Sequence, residues 1–421
     1  MDDAMLRKIA KIVNAEFCEK ILRKSENDPG IQVTDVLIKP ATNKGDNYTS
    51  EMFRVNAEFA RAGKNDAEKK TFIVKVEPMD EGVRQDLVSK TSLFSTEIMM
   101  MTETLAKMNE VLGGNRPLNG RGLFTQKEDP PLLVIEDLAP LGFRMADRQA
   151  GLDMDHCLLA IRGLARFHAS SVALCEKRRL FFAFSPIQEP RQKELYSCGL
   201  FNMRQPVEMQ AFFIEGTKQL GREIAHWPEL DSKYSDKILK LADKVYEKGS
   251  VVSVCREDEF NVINHGDFWV NNMLFRYNEK NRPVGHIFVD FQMCAYTSPA
   301  IDLQYFFNTS LADDTLLAHE DTLLHEYLRV LSSTMSEVGC KTPPPTMAEL
   351  KRMLRERALY GMVASFTILP VLLVDKSEAK DLGEIMGAEG DAYDNPAYKG
   401  KLYRQTMARR LPKFDEMGLL D

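Results

Sequence analysis

Val262-Ile-Asn-His-Gly-Asp-Phe-Trp-Val-Asn-Asn272, followed by Phe288-Val-Asp-Phe-Gln292, is the stretch on which the reading of this chain turns. An apolar lead-in runs into His265-Gly266-Asp267, and Asn272 follows that aspartate by five residues. Two short apolar runs come next, Met273–Tyr277 and His286–Val289, separated by the polar Asn278-Glu-Lys-Asn-Arg-Pro283. The second run ends at Asp290. The spacing predicts a strand pair joined by a turn, which folds Asp290 back beside Asp267 and Asn272. Two carboxylates and an amide next to a glycine suit oxygen ligands for magnesium together with a base for a hydroxyl.

Upstream, the pattern alternates strands with few helices. Residues 2–24 carry apolar positions at helical spacing. From Ile31 the period changes to that of a strand, Ile31, Val33, Val36 and Ile38. A turn-rich loop, Ala41-Thr-Asn-Lys-Gly45-Asp46-Asn47-Tyr-Thr-Ser50, joins it to a second strand at Met52–Phe59, and a third lies at Thr71–Val76. Lys75 sits inside that third apolar strand. A lysine there needs a partner; an edge-strand position facing water is its ordinary alternative. A helix is expected over 84–109, with Glu97 among apolar neighbours and within reach of Lys75 if the helix packs on the sheet. Short strands at Leu123–Thr125 and Leu132–Ile135 lead to Glu136-Asp137-Leu138, where the β-rich part closes.

From there to residue 262 the pattern is nearly all helical, and the shift predicts two lobes, 1–137 and 138–421. Helices are expected near 152–173, 206–224, 235–248, 318–338, 347–367 and 396–415. His168 follows an apolar stripe and reads as a packed core residue. Asp302, in an otherwise apolar run, reads as a holder of backbone N–H groups or a helix cap.

A chain of 421 residues is long enough for two lobes around a sizeable core. Its net charge of −7 argues against a dedicated nucleic-acid binder. Seven scattered cysteines with no Cys-x-x-Cys pair argue against zinc or a disulfide framework and suit reduced thiols in the cytoplasm. The first residues lack the apolar core of a signal peptide. The most apolar stretch, Leu359–Val374, is 16 residues long and interrupted by Ser365, Thr367 and Pro370, so it reads as a buried helix rather than a membrane span. No obligate protein partner is evident.

The order of parts is that of phosphoryl transfer on a bilobal, protein-kinase-like α+β fold: an antiparallel-sheet N-lobe with one helix against it, then a mainly helical C-lobe. No Gly-x4-Gly-Lys-Ser/Thr loop occurs, so a P-loop enzyme is not supported. His265-Gly-Asp-Phe-Trp-Val-Asn-Asn272 with Val289-Asp-Phe-Gln292 resembles the choline kinase and aminoglycoside phosphotransferase superfamily, in the form of its ecdysteroid-kinase-like branch. Lys44-Gly-Asp-Asn-Tyr-Thr-Ser50, Phe94-Ser-Thr-Glu97, Val134-Ile-Glu-Asp-Leu138, Ala165-Arg-Phe-His168 and Ser298-Pro-Ala-Ile-Asp302-Leu carry the same resemblance.

The resemblance implies ATP and Mg2+ as cofactors. It assigns Asp267 to the acceptor hydroxyl, Asn272 and Asp290 to the metal, and Lys75, paired with Glu97, to the phosphates. It places the 41–50 loop, with Gly45, Asp46, Asn47 and Ser50, over the phosphates, and the backbone of Glu136 to Leu138 against adenine. The acceptor it implies is a small alcohol, steroid-like (an ecdysteroid) or a hydroxylated xenobiotic. A kinase for a polar, choline- or aminoglycoside-type substrate, a protein kinase, and a non-catalytic nucleotide binder on the same scaffold are the rival readings.

Overall fold

A computed structural model of the chain describes residues 3–42, 49–63, 66–79, 82–114, 116–182, 192–197, 199–375, 377–378 and 393–421. The N-terminal helices are α1 (Asp3–Ile12) and α2 (Ala15–Ser25). The single helix expected over 2–24 breaks at Asn14, which caps α2 by accepting the Phe17 N–H at 2.9 Å.

Strands β1 (Gln32–Pro40), β2 (Glu51–Ala60), β3 (Glu68–Val76), β4 (Gly122–Gln126) and β5 (Leu132–Glu136) form a five-stranded antiparallel sheet in the order β1-β2-β3-β5-β4. Strand alternation divides its residues. Phe53, Val55, Phe72, Val74 and Val134 bury against Ile9, Val13, Ile21 and Leu22 of α1 and α2. Met52, Ile73, Lys75 and Ile135 face the other way and line a cleft.

The expected 84–109 helix is three pieces. Helix α3 (Val83–Lys90) ends at Thr91; α4 (Leu93–Met99) then continues through a π-helical turn, Met100–Thr104, into α5 (Leu105–Val111). Leu93, Phe94, Ile98 and Leu105 belong to the large hydrophobic core of the helical lobe rather than to the core behind the sheet. The helix that carries Glu97 is thus anchored from below the cleft.

Between residue 137 and residue 262 the nearly all-helical pattern misses a short strand, β6 (Phe143–Met145), which joins the expected strand pair β8 (Met273–Tyr277) and β9 (Pro283–Phe288) in a three-stranded sheet. With only three residues, β6 shows no periodicity of its own. Helix α6 (Met154–Phe182) packs along α12 (Asp313–Glu337). Between them in sequence lie α7 (Gln192–Leu195), α8 (Val207–Ile224), α9 (Lys233–Ala242), α10 (Val245–Ser253), β7 (Val262–Asn264), β10 (Ala295–Thr297) and α11 (Ala300–Thr309). Strand β7 pairs antiparallel with β10.

The chain closes with α13 (Met347–Glu356), α14 (Ala358–Thr367), α15 (Leu369–Leu373) and α16 (Lys401–Glu416). The helix expected over 347–367 is divided at Arg357, a fully buried side chain that pairs with Glu259. Every residue of α14 is buried in the core. Among the described residues one helical segment, Met154–Lys177, is long and apolar enough to cross a membrane, and 72% of its apolar window is buried inside the protein. It is the central core helix of the lobe. No disulfide forms among the described cysteines.

Candidate active site

The loop that follows β7 is held from below by one carboxylate. Asp302, fully buried on α11, accepts the His265 N–H at 2.7 Å and the Gly266 N–H at 2.8 Å. His168 sits 3.0 Å from the same carboxylate, and its other ring nitrogen lies 2.8 Å from the Tyr327 hydroxyl. Both residues therefore have the structural parts expected of them. His265 Nε2 lies 3.0 Å from the Val289 carbonyl. A carbonyl only accepts, so Nε2 carries the proton. This bond ties the Asp267 loop to the segment that presents Asp290. Gly266 has φ +81, and a Cβ there would stand 1.9 Å from the Met293 carbonyl oxygen, so only glycine fits.

Asp267 projects from this loop with a donor on each oxygen. Asn272 Nδ2 donates to Oδ2 at 2.8 Å, and the Tyr305 hydroxyl donates to Oδ1 at 2.7 Å. Burial and the nearby Asp290 charge push the Asp267 carboxyl up to about 7, against the pull of those two donors. With its nitrogen committed, the Asn272 amide leaves its oxygen without a hydrogen bond among the described residues. Asp290 follows β9 with φ +67, an uncommon backbone for a residue with a Cβ.

Lys75 lies on the central strand β3, between β2 and β5, and is 2% exposed. This excludes the edge-strand alternative. Its Nζ stands 2.7 Å from Glu97 Oε2 and 2.7 Å from Asp290 Oδ1. Burial opposes its charge, but the two carboxylates outweigh burial and raise its pKa. Burial likewise raises the Glu97 carboxyl, against the attraction of Lys75.

Lys75, Glu97, Asn272 and Asp290 line a cavity of about 320 Å3 between the sheet and the helical lobe, and Asp267 is hydrogen-bonded to Asn272 beside it. Ile73 and Ile135 line it from the sheet, and Leu274 and Phe288 from β8 and β9. Such apolar plates suit a planar ring. At its outer end Leu138 is 6% exposed and its N–H makes no hydrogen bond among the described residues. A buried N–H of this kind calls for a partner. The Glu136 N–H is committed to the Arg121 carbonyl at 2.9 Å, so the backbone group this residue has to offer a ring is its carbonyl. Ser50 is buried at the start of β2. Gly45, Asp46 and Asn47 lie outside the described residues.

The donor set fits magnesium. Among the described residues no group of three His, Cys, Asp or Glu side chains has the arrangement of a metal site. One carboxylate and one amide oxygen, Asp290 and Asn272, leave most of an octahedral shell to phosphate and water, as magnesium prefers.

The sequence reading missed Tyr305, although it lies three residues after Asp302 on the same helix and so shares its face. It also missed the contact of Thr49 with Gln292, 2.8 Å between side-chain oxygens, which joins the chain just before β2 to the Asp290 segment.

The family model described as "Ecdysteroid kinase-like family" matches residues 44–340. The chain belongs to the ecdysteroid kinase-like family. No curated protein matches it. Among solved structures it is similar to an ethanolamine kinase of Plasmodium vivax, at 11% identity over 99% of this chain and 97% of that chain, with a TM-score of 0.42. A choline/ethanolamine kinase family protein from Mesorhizobium loti matches at 11% identity over 91% and 90%, with a TM-score of 0.39. An amicoumacin kinase in complex with AMP-PNP and Ca2+ matches at 9% identity over 96% of both chains, with a TM-score of 0.40.

Proposed function

We propose that this family member is a phosphotransferase that uses ATP and magnesium to phosphorylate a hydroxyl of a small, apolar alcohol such as an ecdysteroid, another steroid-like molecule or a hydroxylated xenobiotic. The observation that carries the reading is the convergence of Lys75, Glu97, Asp290, Asn272 and Asp267 at one end of an apolar cleft. Bound at Asp290 and Asn272, the metal supplies positive charge to the phosphates. Glu97 orients Lys75 towards the phosphates, in place of its present contact with Asp290. Ile73, Ile135 and Phe288 take the base, and the Leu138 N–H its ring edge; Ser50 and the 41–50 loop cover the phosphates.

Asp267 orients the acceptor hydroxyl and takes its proton. The acceptor oxygen bonds to Pγ as the bond from Pγ to the β–γ bridging oxygen breaks, and the electron pair leaves with ADP. No covalent enzyme intermediate is needed; positioning and charge carry the catalysis. The reading needs no protein or nucleic-acid partner and is at home in the cytoplasm, where the free thiols stay reduced.

Asp267→Ala tests it. The variant should retain the rise in unfolding temperature that Mg·ATP brings to the wild type, yet lose phosphate transfer to alcohols by about a thousandfold, within the range of general-base and positioning effects combined. Unchanged turnover in that variant refutes the assignment.

A further inference from the structure

The register of the five-stranded sheet sets a row of three side chains along the cleft. Arg54 on β2 stands opposite Ile73 on β3, and Ile73 stands opposite Ile135 on β5. All three line the cleft, whereas Phe53 and Val55, the chain neighbours of Arg54, bury on the other face of the sheet. From β2 to β5 the row spans about 10 Å at the usual strand spacing. The next row, Met52 opposite Lys75, lies two residues along each strand, about 7 Å away. Arg54 thus belongs to the row of the apolar plates and not to the row of Lys75.

Two residues past Ile135, the chain returns to Arg54. Arg54 Nε donates to Asp137 Oδ2 at 2.8 Å, and Nη2 donates to Oδ1 at 3.3 Å. Asp137 Oδ1 also accepts the Ala139 N–H at 3.1 Å, so the same carboxylate fixes the turn that presents the Leu138 N–H. The Asp137 side chain is 3% exposed and that of Arg54 is 39% exposed. The carboxylate is enclosed, while the arginine keeps open surface along the cleft that it lines.

A guanidinium is a flat group with two kinds of surface. Its edge donates hydrogen bonds, and its faces stack on aromatic rings. The contact with Asp137 uses the edge that carries Nε and Nη2, and Nη1 makes no hydrogen bond among the described residues. Both faces stay free of that contact. The two-point fork also fixes the plane, so little side-chain freedom is lost when a ring arrives. Neutralising an enclosed carboxylate needs only a cation, which a lysine supplies as well. A flat face in the row of the plates needs an arginine.

We infer that Arg54 is a binding residue for the nucleotide base. Its guanidinium, held in plane by Asp137, stacks on the aromatic ring of the base, with Leu274 on the opposite wall and the Leu138 N–H at the ring edge. The inference rests on the phosphotransferase reading above, which puts ATP in this cleft, and adds a base-binding residue to it.

The test compares wild type with Arg54→Lys and Arg54→Ala in the full chain. Dissociation constants are measured for Mg·ATP and, by competition with it, for Mg·tripolyphosphate, which carries the phosphates without a base. Arg54→Ala leaves the Asp137 carboxylate unpaired and is the variant at risk of misfolding; Arg54→Lys keeps a cation beside it. Both variants should bind Mg·ATP about tenfold more weakly or worse, the size of one stacking contact on a base. Mg·tripolyphosphate affinity should stay within about twofold of wild type, because the phosphates lie at the row of Lys75.

Wild-type affinity for Mg·ATP in Arg54→Lys overturns the inference, since charge alone then suffices. Equal weakening of both ligands also overturns it, since the whole cleft has then changed. Either result leaves the phosphotransferase reading standing. A wild type without saturable Mg·ATP binding overturns that reading and the inference with it.

Discussion

Asp267 carries a pH signature that follows from its surroundings. Its ordinary value is 3.8, and burial beside Asp290 raises it to about 7 in the folded protein. The folded state thus binds that proton more tightly than the unfolded chain does. The group's contribution to stability is complete below about pH 4 and is lost as pH rises through 7. The unfolding-temperature gap between Asp267→Asn and wild type should therefore open in favour of the variant between those limits and stay constant above them. In the proposed reaction Asp267 must be ionised, so kcat/KM should show an acidic limb, which metal charge at Asp290 and Asn272 would move to lower pH.

Tyr305 sharpens the point. Its hydroxyl stabilises the ionised carboxylate, so Tyr305→Phe should move the acidic limb of kcat/KM to higher pH and lower kcat about two- to tenfold, as loss of one hydrogen bond predicts. A purely structural role would lower stability without moving the limb.

At the scale of elements, the loop after β7 is built by α11. Asp302 accepts two backbone N–H groups and a histidine contact from a fully buried position. In Asp302→Asn one oxygen becomes a donor that faces another donor. The expected cost is about 2–3 kcal/mol, read from the midpoint of urea unfolding. Gly266 is fixed from the opposite side by the Met293 carbonyl. Gly266→Ala must either displace that segment or abandon φ +81, and should cost about 3 kcal/mol or more and lower activity with it.

At the scale of the whole molecule, Lys75 is a buried charged link between the lobes. It extends from β3 of the sheet to Glu97 on a helix rooted in the helical core and to Asp290 beyond β9. Thr49 and Gln292 make a second link nearby. Lys75→Met leaves two carboxylates facing each other without a cation. It should destabilise the protein by about 3–5 kcal/mol, as breaking a buried ion pair does. Burial already raises Glu97, and loss of Lys75 raises it further, so folding of the variant favours the protonated acid. Its deficit against wild type should therefore be larger at pH 8 than at pH 5, as thermal unfolding at the two values will show. The same variant should lose the thermal shift with Mg·ATP.

The amino-acid sequence by itself determined the succession of strands along the chain in the sheet region, the strand pair after Asn272 and the residue types of the site. Those features are local: period-two alternation sets which face of β3 carries Lys75, and a turn of fixed length returns Asp290 towards Asp267. It also marked Asp302 as out of place in an apolar run, although it left open whether that acid caps a helix or holds backbone. Tertiary structure alone decided the rest. Lys75 became a buried central-strand residue because β5, some 60 positions later in the chain, pairs along it. The long helices broke where packing needed a change of direction, at Asn14 and Arg357, positions with no proline or glycine to announce them. Strand β6 exists because β8 offers it an edge. Tyr305 reached Asp267, and Arg54 reached Asp137, through contacts between segments tens of residues apart, and no periodicity within one segment encodes a partner in another.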